Sequence, residues 1–101
     1  MAMYQKREEI LSTLQNHLPE IQHYHVKKLG LFGSHAQGAQ TETSDLDFIV
    51  EFSEKSFDNY MDLKLYLEDL FRKPVDLVIS SSIKPRLRSE ILNNTVYAQG
   101  L

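Results

Sequence analysis

The chain has 101 residues and a formal net charge of −3 at neutral pH, which predicts one domain, 1–101, burying roughly 65% of the surface that its unfolded form exposes. The absence of cysteine excludes disulfides and thiolate zinc sites, and the acidic balance argues against nucleic acid as a direct ligand, because non-specific binding to it draws on a basic field. No apolar run is long enough to span a bilayer and the first nine residues lack the apolar core of a signal peptide, so the expectation is a cytoplasmic protein with no membrane partner.

In chain order, Ile10, Leu11, Leu14 and Leu18 recur at helical spacing and predict a helix over 3–17, which Pro19 ends or follows with another turn. Residues 24–32, with Val26, Leu29, Leu31 and Phe32, form a short strand delivering the chain to Gly33. Residues 34–40 leave room for about two helical turns, and 41–44 are a polar connection. From Asp45 the residues alternate, placing Leu46, Phe48, Val50 and Phe52 on one face of a strand and Asp45, Asp47, Ile49 and Glu51 on the other. Ser53 or Ser56 caps a long helix over 57–73, whose apolar stripe of Phe57, Tyr60, Leu63, Leu67, Leu70 and Phe71 covers the sheet. Pro74 stops that helix, 75–79 is a further strand, and Pro85 opens a last helix closed by Asn93 and Asn94. Residues 95–97 add a short strand. Alternating strands and helices imply an α/β (α+β) fold with a small mixed β-sheet flanked by helices.

Three features carry chemistry. The Gly33-Ser34 turn leads into a short helix, whose backbone N–H groups and dipole suit a phosphate. Asp45 and Asp47 project from one face of a strand, although aspartate is depleted in strands and side-by-side carboxylates repel unless a cation lies between them. Asp76 places a third carboxylate in the strand that is the natural neighbour of the first. Carboxylates beside a phosphate cradle suit Mg²⁺, which takes a few protein oxygens plus substrate phosphates, and a pair of such ions serves in-line displacement at phosphorus. Other candidates are weaker. His23 and His25 would share one face of a strand, but zinc requires further ligands that the sequence does not supply. Lys84, Arg86 and Arg88 read as a solvated basic face, or as cations for the phosphate site if the last helix begins beside it. Tyr60 and Tyr66 are candidate contacts of a homo- or hetero-oligomer, with core packing accounting for most of them.

Gly33-Ser34, ten intervening residues, Asp45-Leu46-Asp47, and then Val75-Asp76-Leu77-Val78 resemble the minimal nucleotidyltransferases of the DNA polymerase β-like superfamily. The resemblance runs from about Leu29 to Asn93 and is of the antitoxin type. It implies the polymerase β-like palm fold, ATP as substrate and two Mg²⁺ ions as cofactor. It further implies that Gly33 and Ser34 bind the nucleotide, that Asp45, Asp47 and Asp76 bind metal and are catalytic, and that Asp76 helps deprotonate the acceptor hydroxyl. The implied activity is transfer of AMP to a tyrosine of a partner HEPN-domain RNase, a toxin that the transfer silences. His35 and Gln37 stand where members commonly carry arginines, and this motivates the alternative of a catalytically weak or inactive module that silences its partner by occlusion.

Overall fold

The computed structural model describes residues 7–33 and 45–101. The turn at Ser34, the short helix expected over 34–40, the connection 41–44 and the start of the first helix lie outside the described residues. Strands β1 (Val26–Phe32), β2 (Leu46–Phe52), β3 (Val75–Ile79) and β4 (Val96–Tyr97) form one sheet in the order β3-β2-β1-β4. β1 runs antiparallel to β2 and β4, whereas β2 and β3 are parallel, so the sheet is mixed.

Helices α1 (Arg7–Asn16) and α2 (Leu18–Gln22) precede the sheet. Pro19 opens α2 from its first turn, where a missing N–H costs nothing. The strand expected from Tyr24 begins instead at Val26, because His25 is held in the left-handed region at φ +63°. His23 caps α2 and His25 forms the turn, so the two imidazoles do not share a strand face. In β1 the pairing slips between Val26 and Lys28; this bulge turns Lys27 and Lys28 both toward solvent and returns Leu29 and Leu31 to the core.

Helix α3 (Phe57–Phe71) is capped by Ser56, whose hydroxyl oxygen accepts from the Asn59 N–H at 3.0 Å. It ends two residues short of the expected boundary, because Arg72 adopts φ +57° and its N–H returns to the Glu68 carbonyl at 2.9 Å. α3 also services the edge strand. The Glu68 carboxylate accepts from the Val75 N–H at 3.0 Å and the Tyr60 hydroxyl donates to the Leu77 carbonyl at 2.7 Å, supplying partners that an edge strand otherwise leaves to water.

One sheet face carries Leu29, Leu31, Leu46, Phe48, Val50, Val75 and Leu77, packed with Ile10, Leu14 and Ile21 from α1 and α2 and with Leu63, Leu67 and Phe71 from α3. Phe48 is fully buried and its ring lies 5.8 Å from that of Phe71. The opposite face is covered in part. After a single 3₁₀ turn (Ser80–Ser82), α4 (Pro85–Asn93) folds back over it and leads into β4 beside β1. Ile49, expected on the carboxylate face, is therefore buried as well, at 1% exposure.

Candidate active site

Parallel pairing of β2 with β3 sets Asp47 directly opposite Asp76, one step inside the Leu46–Val75 pair that opens the ladder. Register partners on adjacent strands point to the same face and lie about 4.8 Å apart across the sheet, so the two carboxylates stand side by side. Asp45 immediately precedes β2 and is exposed, as is Asp76, while Asp47 is half-buried. On its other side Asp47 pairs with Phe32, the last residue of β1, and the chain then turns at Gly33 with φ +75°. A side chain at Gly33 would run into the Asp47 carboxylate, its Cβ meeting Oδ2 and lying 3.0 Å from Cγ. The turn is thus laid directly on the aspartate. Only glycine combines that positive φ with that approach.

The electrostatics follow from this arrangement. Burial, then the charge of Asp76, then that of Asp45 push the Asp47 carboxyl above its ordinary value of 3.8. The donor set is all carboxylate oxygen, which fits a hard cation such as Mg²⁺, and a cation between the carboxylates would relieve the repulsion that raises Asp47. Among the described residues no three side chains are already gathered around one metal position; Asp47 and Asp76 form the neighbouring pair, and Asp45 acts on it through the shared field. The raised carboxyl has a consequence for the cation-free protein. The folded state holds the Asp47 proton more tightly than the unfolded chain does, so its contribution to stability is fully present below about pH 3.8 and is lost as pH rises through the raised folded value. Thermal melts in a chelator are expected to show Asp47→Asn gaining on the wild type between about pH 4 and pH 7; a difference that is flat across this range would contradict the carboxylate repulsion.

Arg88 goes elsewhere. Beyond Asp76 the strand runs on to Ile79, the 3₁₀ turn begins at Ser80, about 13 Å along from Asp76, and α4 begins at Pro85. Arg88 donates to the Ser80 carbonyl, past the end of β3 remote from Asp76. Held there, Arg88 does not take the place of an arginine at the carboxylate end. Ser34, His35 and Gln37 lie outside the described residues.

The mixed sheet thus presents paired aspartates from two parallel strands, with a glycine turn resting on one of them. The family model described as polymerase beta, nucleotidyltransferase, matches residues 8–98. The chain belongs to that family and is a nucleotidyltransferase. It is 39% identical over 92 residues to the protein adenylyltransferase MntA of Thermococcus cleftensis, covering 89% of this chain and 93% of that one. A solved candidate minimal nucleotidyltransferase superposes with a TM-score of 0.80 at 31% identity, over 91% of this chain and 95% of its own. The fold also recurs, with a TM-score of 0.58 and 20% identity over 94% of this chain and 70% of the other, in the structure of a tri-AMPylated Shewanella oneidensis HEPN toxin in complex with an MNT antitoxin.

Two features of the sheet go beyond the sequence expectations. Glu68 fixes the start of β3 through the Val75 N–H, and nothing in a helical glutamate announces that role. Gly30 sits inside β1, where a Cβ would crowd Thr95 and come within 3.0 Å of the Tyr97 ring. A glycine inside a strand is a recognised sign of such close approach.

Proposed function

We propose that this chain is a single minimal nucleotidyltransferase domain that transfers AMP from ATP to a hydroxyl, that of a tyrosine on a HEPN-type RNase toxin, and so acts as the toxin's antitoxin. The observation that carries this reading is the in-register Asp47–Asp76 pair with Gly33 laid against Asp47. The relative named a protein adenylyltransferase and the fold shared with an MNT antitoxin bound to an AMPylated HEPN toxin support it.

In this reading the acceptor oxygen bonds to the α-phosphorus of ATP, the bond from that phosphorus to the bridging oxygen breaks, and pyrophosphate leaves. Asp76, exposed at the edge of the sheet, takes the acceptor proton and passes it to solvent. Gly33, on the other side of Asp47, binds the triphosphate together with Ser34, which sets the incoming and departing groups on opposite flanks of one carboxylate. Asp45, Asp47 and Asp76 are the residues that would hold Mg²⁺, which supplies charge neutralisation of the phosphates when bound. The protein's share of the work is positioning, which a small domain can accomplish.

Incubating the protein with Mg²⁺ and ATP in an extract of its source cells is expected to transfer label to one protein from the α-phosphate and none from the γ-phosphate. Label arriving from the γ-phosphate would indicate phosphorylation and overturn the reading. A second reading, silencing by occlusion without turnover, is favoured by His35 and Gln37 in place of arginines; it predicts that Asp45→Asn and Asp76→Asn retain full protection against the toxin.

A further inference from the structure

The sheet face that carries Asp47 holds a second built feature toward the other end of β2. Lys28, Glu51, Ser80, Arg88 and Tyr97 line a cavity of about 120 Å³ between α4 and the sheet, floored by Ile49. It shares Lys28 and Tyr97 with a neighbouring cleft of about 230 Å³ lined by Ala98 and Leu101. Together they reach the lower end of the range used by small-molecule sites, roughly 300–1,000 Å³. Glu51 stands four residues beyond Asp47, about 13 Å along the strand, so this is not the carboxylate site.

The charges in the cavity are unequally matched. Glu51 is paired with Lys27 at 3.7 Å, and neither Lys28 nor Arg88 takes part in an ion pair among the described residues. Arg88 uses one nitrogen on the Ser80 carbonyl, which leaves the rest of a planar five-donor fork free. The Lys28 ammonium lies 5.9 Å from the centre of the Tyr97 ring, within cation–π reach. The ring itself is seated against Gly30, the one position in β1 where the absence of a Cβ lets it lie on the sheet. Glu51 lines the same cavity opposite Lys28 in the register, and Lys28 and Arg88 together outweigh its charge, so that the cavity suits a phosphate, for which the guanidinium fork has matching geometry. The exposed side of the aromatic ring, with Ala98 and Leu101, offers an apolar seat for a planar base.

We propose that these joined cavities form a nucleoside monophosphate site separate from the carboxylate pair, with the phosphate held by Arg88 and Lys28 and the base resting against Tyr97. The test is amide-resonance titration of the full chain, in chelator and without ATP or partner, using AMP in one series and inorganic phosphate in another. AMP is expected to produce saturable shifts at Gly30, Glu51, Ser80, Leu92 and Ala98, and to bind at least about tenfold more tightly than phosphate. Arg88→Gln and Lys28→Gln should each weaken AMP by about tenfold, and Asp47→Asn should leave its affinity unchanged. Should Arg88→Gln fail to fold for loss of its bond to Ser80, the exposed Lys28 carries the test alone. Shifts confined to Gly33 and 45–47, equal affinity for AMP and phosphate, or no saturation at millimolar AMP would each overturn the proposal. Because neither ATP nor divalent cation is present, the outcome is independent of whether Asp47 supports transfer.

Discussion

Asp47→Asn is expected to reduce AMP transfer on the order of 10²–10³-fold or more, the scale seen when one electrostatic stabiliser is removed from a preorganised site, while the folded state is retained. The two halves of that expectation have one origin. Asp47 sits between Asp76 on β3 and the Gly33 turn after β1, so it is the carboxylate common to both flanks of the proposed reaction. The same position subjects it to burial and to two like charges, which raise its carboxyl, and asparagine removes that repulsion without changing the shape of the side chain. Loss of transfer together with an unchanged or raised melting temperature in chelator distinguishes a functional carboxylate from a structural one. A variant that loses both would assign Asp47 to the fold.

Gly33→Ala is the second large effect. At φ +75° an alanine incurs about 1–2 kcal/mol of backbone strain, and its Cβ collides with the Asp47 carboxylate. Each kcal/mol shifts the melting temperature of a domain this size by about 4–8 °C. Transfer should fall by roughly 10²-fold, since a displacement of about 1 Å at a positioning group has that cost. Gly33→Asn separates the two causes. Asparagine tolerates the left-handed region, so it should regain much of the lost stability and still displace Asp47 and impair transfer. If Gly33→Asn restored transfer to the wild-type rate, contact between the turn and the carboxylate would be irrelevant to the chemistry.

Much of this architecture is legible in local sequence because its signals are local. The alternation from Leu46 to Phe52, the stripe from Leu63 to Phe71 and the proline stops each act within a few residues, and among the described residues they recover the sheet strands, α3 and α4 to within about two positions. Where the prediction slipped, the cause was a backbone conformation without a local marker. His25 and Arg72 both take positive φ, although neither residue type advertises it, and each moves the boundary of an adjacent element. The bulge at Lys27 is also silent, since two adjacent lysines look like ordinary surface.

The neighbourhood of the carboxylates is legible only in part for a different reason. That Asp45 and Asp47 share a strand face follows from a period of two, but the alignment of Asp47 with Asp76 depends on parallel register between strands separated by all of α3. No short stretch of sequence encodes that alignment; it is set by the seating of Leu46, Phe48, Val75 and Leu77 in one core. Likewise Ile49 looked like a surface residue among carboxylates, and it is buried because α4 returns over that face. The same return carries Arg88 away from Asp47, and so joins it to Lys28 and Tyr97. The sheet face thus has one end of carboxylates alone and another where Lys28 and Arg88 outnumber Glu51, a division invisible in a net charge of −3.

If the Asp47–Asp76 pair directs AMP onto a tyrosine of a toxin partner, as proposed, intact and peptide mass analysis of that partner will reveal it. The partner is isolated from cells producing either the wild-type chain or Asp47→Asn. The partner is expected to gain one adenylyl group, or whole multiples of it, on a tyrosine with the wild type and none with the variant. An unmodified partner that is nevertheless silenced by both forms would contradict it.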